Sequence, residues 1–441
     1  MDKEKFTSEN HSGIFDENNE DTAKETSERA FENEKYIKAA AAEARLKNIS
    51  SFAMGFLCCM LLVTLVICGP ALYKSIFKHE LDYKAKQLAI YNIMKDNYID
   101  DIDIDEMYEG IYLGMTSIPT DRYSYYMSSE DAKSYNEKTD GNYVGIGVVI
   151  TQNRELGGLE ITTVYKPSPA YDAGLKKGDI IKEVSGVEMT SESLDEAVDL
   201  VRGTENTTVD LVVYRPSEDR EIEVTSYRKN VEVSTVFGFM LENNVGYIQI
   251  TAFDGVTPEQ YRNVLEDLKK QGMQKLVIDV RNNPGGLLVS ISQVADTLIP
   301  KGVLTYTEDK HGKKQYVYTQ EEHLGIPLCV LVNGGSASAS ELLTGAVKDT
   351  GMGTIVGTKT YGKGVVQTPF ELKDGSIVKL TTSRYYTPNG TCIDGIGIEP
   401  DVEIEAAEDF VMPDFNDEDA VIDIEKDVQL KKALEVLANG A

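Results

Sequence analysis

The feature that most constrains this chain is an uninterrupted apolar run. Residues 51–73 read SFAMGFLCCMLLVTLVICGPALY, 23 residues without a charge. As a helix the run would be roughly 34 Å long, which spans a hydrocarbon core of about 30 Å. A cleaved signal peptide would be shorter and closer to the N terminus, whereas 50 mostly polar residues precede this run. A buried core helix is the alternative, but the length and purity of the run favour a retained transmembrane anchor.

The charges beside the anchor do not give its orientation. Four basic residues precede the run and four follow it, namely Lys35, Lys38, Arg45 and Lys47, and then Lys74, Lys78, Lys84 and Lys86. The positive-inside rule is therefore nearly tied for this span.

Composition excludes several classes of function. The net charge is −29 and no basic stripe follows a helix or a loop, so we expect no nucleic-acid partner. Three of the five cysteines lie in the apolar run, which leaves no disulfide framework and no C-x-x-C metal site. With only four histidines, a His-rich metal centre is excluded. We expect neither a metal nor a cofactor.

Hydrophobic periodicity divides the chain into segments. Short β-branched runs fill one stretch, and nearly all-apolar runs such as VGYIQI, KLVIDV and LCVLV alternate with helical patterns in the next. We predict an acidic disordered tail at 1–50, the anchor at 51–73, a helical segment at 74–141, a mostly-β module at 142–228, an α/β domain at 229–405 and an acidic segment ending in a helix at 406–441.

The α/β domain contains three Gly/Ser-dense junctions, each directly after an apolar strand, where catalytic groups collect in open sheets. The first, Arg281-Asn282-Asn283-Pro284-Gly285-Gly286, is either a plain strand-to-helix turn or a turn with bare N–H groups that bind an oxyanion. In the second, GGSASASE, a serine beside a helix N terminus is either a cap or a nucleophile. Ser340 suits the role of a cap.

The third junction, Gly357-Thr358-Lys359-Thr360-Tyr361-Gly362-Lys363-Gly364, nearly spells a phosphate loop. Gly364 stands where the Ser or Thr that holds magnesium is required, and the following VVQTPFEL is typical of a strand instead of a helix. The other interpretation is a lysine that reaches a buried serine, because lysine can replace histidine as the activating base.

These motifs together resemble the carboxy-terminal processing proteases, serine–lysine peptidases with an inserted PDZ domain. The motifs occur in the family's order: YVGIGVVI, SPAYDAGLKKGDIIKEVSG, LVIDVRNNPGGLL, GGSASASELL, KTYGKGVVQ and LTTSRYYTPNG followed by GIEPDV. The resemblance implies an α/β catalytic domain with a ClpP/crotonase-like core. In one departure, Thr120-Asp121-Arg122-Tyr123-Ser124 stands where the family has an acidic-Pro-Tyr-Ser stretch.

Matched residue by residue, the resemblance makes Ser338 the nucleophile, Lys363 the general base and Gln367 a supporting residue. It places the oxyanion donors at the N–H groups of Ala339, Gly285 and Gly286. It also implies that the 142–228 module binds substrate C termini through Tyr143, Val144, Gly145, Ile146 and Gly147, where glycine allows close approach of a backbone.

The predicted function is a membrane-anchored serine endopeptidase that recognises the C termini of protein or peptide substrates. The alternative is a membrane-tethered PDZ adaptor with an inactive hydrolase domain. A Ser-His-Asp hydrolase is disfavoured because the chain has no G-x-S-x-G and its plausible histidines lie in no motif. From the family we expect a single-pass protein of the cytoplasmic membrane with its catalytic part outside the cytoplasm. A homodimer or a regulatory partner protein stays open.

Overall fold

The structure is a computed structural model that describes residues 19–119, 121–320, 323–417 and 420–439. The chain divides into two compact units, which meet in sequence between Ile104 and Asp105. Most of the second unit is built from short strands and helices, while the described part of the first unit is almost entirely helical.

One long helix, α1 (Asn19–Asn97), makes up most of the first unit. Within the described residues, one stretch of it, Lys38–Gly69, is long and apolar enough to cross a membrane, by length and composition. Residues 19–50 are helical, whereas we predicted a disordered tail over residues 1–50. An Ala-rich stretch, IKAAAAEARLK, explains the helix before the apolar run, because alanine and long-chain charged residues are strong helix formers. Residues 1–18 of the predicted tail lie outside the described residues.

The remaining helices are short. They are α2 (Ile104–Thr116), α3 (Ser129–Asp140), α4 (Pro169–Asp172), α5 (Leu194–Val201), α6 (Thr257–Lys270), α7 (Leu288–Ala295), α8 (Ala339–Thr350) and α9 (Val428–Ala438), with a 3-10 turn at Glu242–Asn244.

Nineteen strands are present in the described chain. They are β1 (Tyr125–Met127), β2 (Asn142–Gly145), β3 (Val148–Asn153), β4 (Gly158–Val164), β5 (Ile180–Val184), β6 (Val187–Glu188), β7 (Thr208–Arg215), β8 (Arg220–Tyr227), β9 (Lys229–Glu232), β10 (Val236–Leu241), β11 (Val245–Ile250), β12 (Lys275–Asp279), β13 (Gly302–Asp309), β14 (Lys314–Thr319), β15 (Leu328–Val332), β16 (Thr354–Gly357), β17 (Val365–Glu371), β18 (Ile377–Tyr386) and β19 (Val402–Glu403).

A six-stranded sheet of order β10-β11-β12-β15-β16-β19 forms the centre of the α/β region. All its neighbours pair in parallel except β10 and β11. Every residue of β11 and β15 is buried, so the prediction of strands covered on both faces is confirmed. Helices α6, α7 and α8 contribute to the core on one face, and α9 contributes to the core on the other.

A second sheet, of order β1-β18-β13-β14 with β17 beside β18, lies next to this centre. Strand β17 confirms that VVQTPFEL is a strand. The short strand β1, which precedes the mostly-β module in sequence, pairs with β18 through Tyr125 and Lys379. The sheet therefore brings the segment before β1 to the strands that follow the third Gly-rich junction.

The mostly-β module has its own sheet, of order β3-β4-β5-β7-β8 with β6 beside β5. Its core is separate and includes residues from α4 and α5, such as Ala170 and Ala197. The chain enters and leaves the module through a two-stranded ladder in which β2 pairs with β9. Strand β3 is an edge of the sheet, so its free side is open to a further strand.

The acidic C-terminal segment is packed onto the α/β domain. Phe415 contacts Phe237, Phe239 and Tyr247 with ring centroids 5.3–6.4 Å apart. Asp427 caps α9 by accepting the N–H of Leu430, and Leu430 is fully buried. The terminal helix, whose role the sequence left open between packing and association, therefore covers one face of the central sheet.

Candidate active site

The middle serine of SASAS lies at the point where β15 ends and α8 begins. Ser338 is the residue just before α8 and has φ +54° and ψ −114°, a conformation that non-glycine residues rarely adopt. Its relative exposure is only 9%. A sharp, strained turn of this kind between a strand and a helix is how nucleophilic serines are presented in other hydrolase folds.

The two flanking serines have structural partners. Ser336 donates its hydroxyl to the Val280 carbonyl at 2.7 Å, and Ser340 donates to the Asn283 carbonyl at 3.0 Å. Both bonds fasten the serine loop to the Arg281–Gly286 junction. The expectation that Ser340 is a helix cap is not met, because Ser338 occupies the capping position of α8.

A buried carboxylate, Glu341, connects the serine to the lysine. Its Oε2 atom accepts the backbone N–H of Ser338 and that of Lys363, each at 2.8 Å. Its Oε1 atom accepts the N–H of Gly362 at 2.7 Å and the hydroxyl of Thr360 at 2.6 Å. Because one side chain bonds both backbones, the two predicted catalytic residues belong to one site.

Sequence reasoning missed Glu341. The signal was available, because Ser338-Ala339-Ser340-Glu341 is a capping-box pattern in which the acidic side chain returns to the N–H of the cap residue. The return bond from Ser338 is present. The bonds to the lysine loop come from residues distant in sequence and follow no local pattern.

Lys363 is half-buried and its amine faces an aromatic ring. The Nζ atom lies 4.7 Å from the ring centroid of Tyr123. Burial lowers the pKa of Lys363, the positive charge of Lys379 lowers it further, and the Glu341 carboxylate opposes both effects. The direction is the one that a lysine acting as a base at neutral pH requires.

Gln367 lies on β17, opposite Thr381 of β18, with an irregularity in the ladder between Val366 and Gln367. Its amide nitrogen is 3.3 Å from the Val365 carbonyl and 3.5 Å from the Thr381 hydroxyl. Both bonds are long, and neither leads to Ser338 or Lys363. The structure thus places Gln367 on the strand that starts beside Lys363 but, among the described residues, gives it no hydrogen bond to Ser338 or Lys363.

The Gly285–Gly286 turn packs directly against the serine. A Cβ atom on Gly285 would lie 2.7 Å from the Ala337 carbonyl oxygen and 2.8 Å from the Ser338 Cβ, so no larger residue fits. The N–H of Gly285 donates to Asn283 Oδ1 at 2.8 Å and is therefore occupied. Within the described part of the chain, the N–H groups of Gly286 and Ala339 donate to no protein acceptor.

Residues 121–124, part of the stretch in which the sequence departs from the family, also lie at this site. Asp121 accepts the N–H of Tyr123, the hydroxyl of Ser124 and the hydroxyl of Thr381, each at 2.9 Å. The Ser124 hydroxyl in turn accepts the N–H of Thr381. The departure from the family's acidic-Pro-Tyr-Ser stretch therefore lies beside Lys363. The sequence did not indicate this because the two are far apart along the chain.

The predicted carboxylate-binding residues are split between a ladder and a turn. Tyr143, Val144 and Gly145 lie in β2 and pair with β9, whereas Ile146 and Gly147 form the connection to β3. The Tyr143 ring lies under the Arg202 guanidinium at 5.4 Å, and burial raises the pKa of its hydroxyl.

Gly147 has φ +89° and leaves no room for a side chain against Ser168. The turn leads into β3, the edge strand of the module's sheet. Among the described residues, no group of three or more His, Cys, Asp and Glu side chains could hold a metal ion.

Comparison with known proteins identifies the class. The model of peptidase family S41 matches residues 244–404, and the model of a PDZ domain matches residues 160–215.

The chain is 38% identical over 320 residues to a probable CtpA-like serine protease of Staphylococcus aureus, covering 72% of this chain and 64% of that protein. It is 35% identical over 325 residues to the carboxy-terminal processing protease CtpB of Bacillus subtilis, covering 73% and 67%. A solved structure, that of the photosystem II D1 C-terminal processing protease, is 30% identical and covers 71% of this chain and 85% of that one, with a TM-score of 0.44.

The chain therefore belongs to the carboxy-terminal processing proteases of peptidase family S41. It spans just under two thirds of the length of the Staphylococcus relative, 64%.

Proposed function

We propose that the chain is a membrane-anchored serine endopeptidase that binds substrate C termini through its PDZ domain and hydrolyses peptide bonds with Ser338 and Lys363. The observation that carries the proposal is the Glu341 carboxylate, which accepts the backbone N–H groups of both residues at 2.8 Å. A buried acid shared in this way fixes a strained serine and a half-buried lysine in one geometry.

The reaction follows from these positions. The Ser338 hydroxyl attacks the scissile carbonyl carbon and its proton passes to the neutral amine of Lys363. The tetrahedral oxyanion accepts hydrogen bonds from the N–H groups of Ala339 and Gly286. Lys363 returns the proton to the leaving amine, which leaves an acyl-enzyme on Ser338. Water then attacks the ester as Lys363 accepts its proton. Lys363 passes this proton to the Ser338 oxygen as the ester bond breaks, which frees the serine and the new carboxyl terminus.

The base must be uncharged to act. A free lysine has a pKa near 10.4 and a base at neutral pH needs about 7–8, a difference worth roughly 4 kcal/mol. Burial and the nearby charge of Lys379 both lower the pKa of Lys363. Within the described residues the amine contacts an aromatic ring and forms no ion pair that would stabilise its charge. We assign Gln367 a supporting role, as an uncharged group that supplies hydrogen bonds near the base.

Substrate recognition is assigned to the PDZ domain. A peptide would add to the free edge of β3 beside α5, with its terminal carboxylate at the N–H groups of Ile146 and Gly147. Peptides with a free C terminus should bind more tightly than the same peptides with a terminal amide, because amidation removes the charge. Equal affinities in a fluorescence titration would refute the carboxylate assignment.

The anchor is assigned to the apolar stretch of α1, with residues 1–50 in the cytoplasm and the catalytic part outside the cytoplasmic membrane. Protease added to intact spheroplasts should then degrade the part of the chain after residue 73. Complete protection of that part would refute this topology.

The activity test uses the full chain in detergent micelles and an unstructured protein substrate with an apolar C terminus. Ser338→Ala should abolish cleavage, and Lys363→Ala should lower kcat by about 10²–10⁴-fold. Lys359→Ala is the matched control, since Lys359 lies in the same loop and forms an exposed ion pair with Glu399 at 2.6 Å. It should cleave at the wild-type rate. Full activity of Ser338→Ala or Lys363→Ala would overturn the dyad, and an inactive but peptide-binding wild type would favour the adaptor.

A further inference from the structure

The ring of Tyr123 covers the amine of the proposed base. The distance from Lys363 Nζ to the ring centroid is 4.7 Å, which is the range of a cation–π contact. Tyr123 precedes the PDZ domain in sequence and Lys363 lies late in the peptidase domain. A contact between such distant parts of the chain at the centre of the site calls for a role.

The ring is held in place from both sides of its own segment. Asp121 accepts three hydrogen bonds at 2.9 Å, one of them from the Thr381 hydroxyl on β18. Burial would raise the pKa of Asp121, but the bonds from Ser124 and Thr381 outweigh it and keep the pKa low. The carboxylate is therefore ionised at neutral pH and binds the segment to the sheet that carries the lysine loop. Strand β1 continues the attachment through Tyr125.

The charged groups around Lys363 come from three directions. Glu341 on α8 favours the ammonium form, and Lys379 on β18 disfavours it. The Arg122 guanidinium lies over both the Tyr123 and the Tyr361 rings, at 5.6 and 5.8 Å from their centroids. Burial and then a hydrogen bond with Tyr361 raise the pKa of the Tyr123 hydroxyl, so the ring stays neutral.

A neutral ring over an amine has two opposite effects. Its π face attracts the ammonium form, and its bulk keeps water from solvating that form. Burial is the largest influence on Lys363, and its direction is toward the uncharged amine. The Tyr123 ring lies against the amine within this buried environment, so its shielding acts in the same direction as burial.

We propose that Tyr123 is a positioning residue for Lys363, whose ring holds the amine in place and shields it from water. This inference rests on the proposed function, in which Lys363 is the base. The hydroxyl of Tyr123 points to a neighbouring phenol and takes no part, so the ring alone suffices.

The test is the pH dependence of kcat/KM for the full chain in detergent micelles, measured from about pH 6 to about pH 10 on the same unstructured substrate. Tyr123→Phe should keep the wild-type profile. Tyr123→Ala should admit water, move the rising limb about one pH unit upward and lower kcat/KM about tenfold at pH 7. The deficit should shrink toward pH 10, where the amine is neutral in either protein. Tyr123→Leu should shift the rising limb in the same direction and lower kcat/KM at pH 7, but by less than Tyr123→Ala does.

Tyr171→Ala is the matched control, because Lys166 lies over the Tyr171 ring at the same distance of 4.7 Å, in the PDZ domain. Its pH profile should equal the wild type's. The inference is overturned if Tyr123→Ala and Tyr123→Leu keep the wild-type profile, or if their loss is the same at every pH. It is also overturned if Tyr123→Phe lowers kcat/KM at pH 7 as much as Tyr123→Ala does. If the wild type cleaves nothing, or cleaves without Ser338, the proposed function has failed instead.

Discussion

Two regions of the peptidase domain bury carboxylates and satisfy them in different ways. At the candidate site, Glu341 accepts three backbone N–H groups and one hydroxyl, none of them a cation. At the far end of β12, Asp279 and Asp427 share the guanidinium of Arg281, with the shortest contacts at 2.6 and 2.7 Å. All four side chains are almost completely inaccessible to solvent.

The difference bears on what each region does. An arginine is always charged and bonds two carboxylates in fixed directions, which suits a permanent link between β12 and the C-terminal segment that carries Asp427. Neutral donors satisfy Glu341 without bringing a cation into the site. Among the described residues, Glu341 bonds Lys363 through its backbone N–H and not through its side-chain amine, so no ion pair joins the two side chains.

The largest effect is expected from breaking the arginine network. Arg281→Met leaves two buried carboxylates without their cation, and removing one partner of a buried ion pair typically costs about 3–5 kcal/mol. Hydrogen exchange of the α9 amides should therefore accelerate strongly. Lys359→Met, which breaks only the exposed pair with Glu399, should change exchange little. Unchanged protection of α9 in Arg281→Met would contradict the role of this network.

The next effect concerns Glu341. Glu341→Gln keeps the shape but turns one acceptor into a donor that faces N–H groups, which should cost about 2–3 kcal/mol of stability. Because the serine and lysine loops would then separate, kcat should fall at least about 10²-fold with little change in KM. Glu399→Gln, an exposed acid next to the same loop, is the control. A Glu341→Gln enzyme with the wild-type kcat would show that the bridge is not needed.

Much of this arrangement could be predicted from the sequence, because the patterns that indicate these strands and junctions lie within short stretches of the chain. The apolar runs predicted β11, β12 and β15. The Gly/Ser-dense junctions after these strands indicated the loops that contain Ser338 and the Gly285–Gly286 turn. The assignment of roles to Ser338 and Lys363 came from the resemblance to the family and stays a prediction.

The contacts that join these motifs are between residues distant in sequence. The capping-box pattern at Glu341 indicates only its local bond to Ser338. Asp121 and Tyr123 approach the site through the pairing of β1 with β18. Pairing between strands separated by a whole domain leaves no periodicity in either one. The same limit explains Gln367, whose neighbours depend on an irregularity in the β17–β18 ladder.

The smallest effect is expected at Asp254, whose carboxylate forms neither a hydrogen bond nor an ion pair with the described residues. Burial raises the pKa of Asp254 to about 6, and the charge of Lys138 opposes this only in part. The folded state holds this proton more tightly than the unfolded chain, so stability should fall as pH rises from about 4 through about 6 and then level off. Asp254→Asn should remove that slope and raise the free energy of unfolding at pH 8 by about 1 kcal/mol or less, because the carboxyl is partly exposed. Identical pH slopes in the two proteins would contradict this assignment.

The ladder between β2 and β9 has a consequence for engineering. Gly145 and Lys229 are paired across it, so the chain leaves the peptidase domain and returns to it at neighbouring points. A short hairpin turn can connect such positions, since paired backbones are only about 5 Å apart. The whole stretch between them can therefore be exchanged for a turn, or for another peptide-binding module, without changing the path of either flanking strand. The PDZ domain is in this sense an exchangeable insertion in a peptidase domain whose own sheets are complete without it.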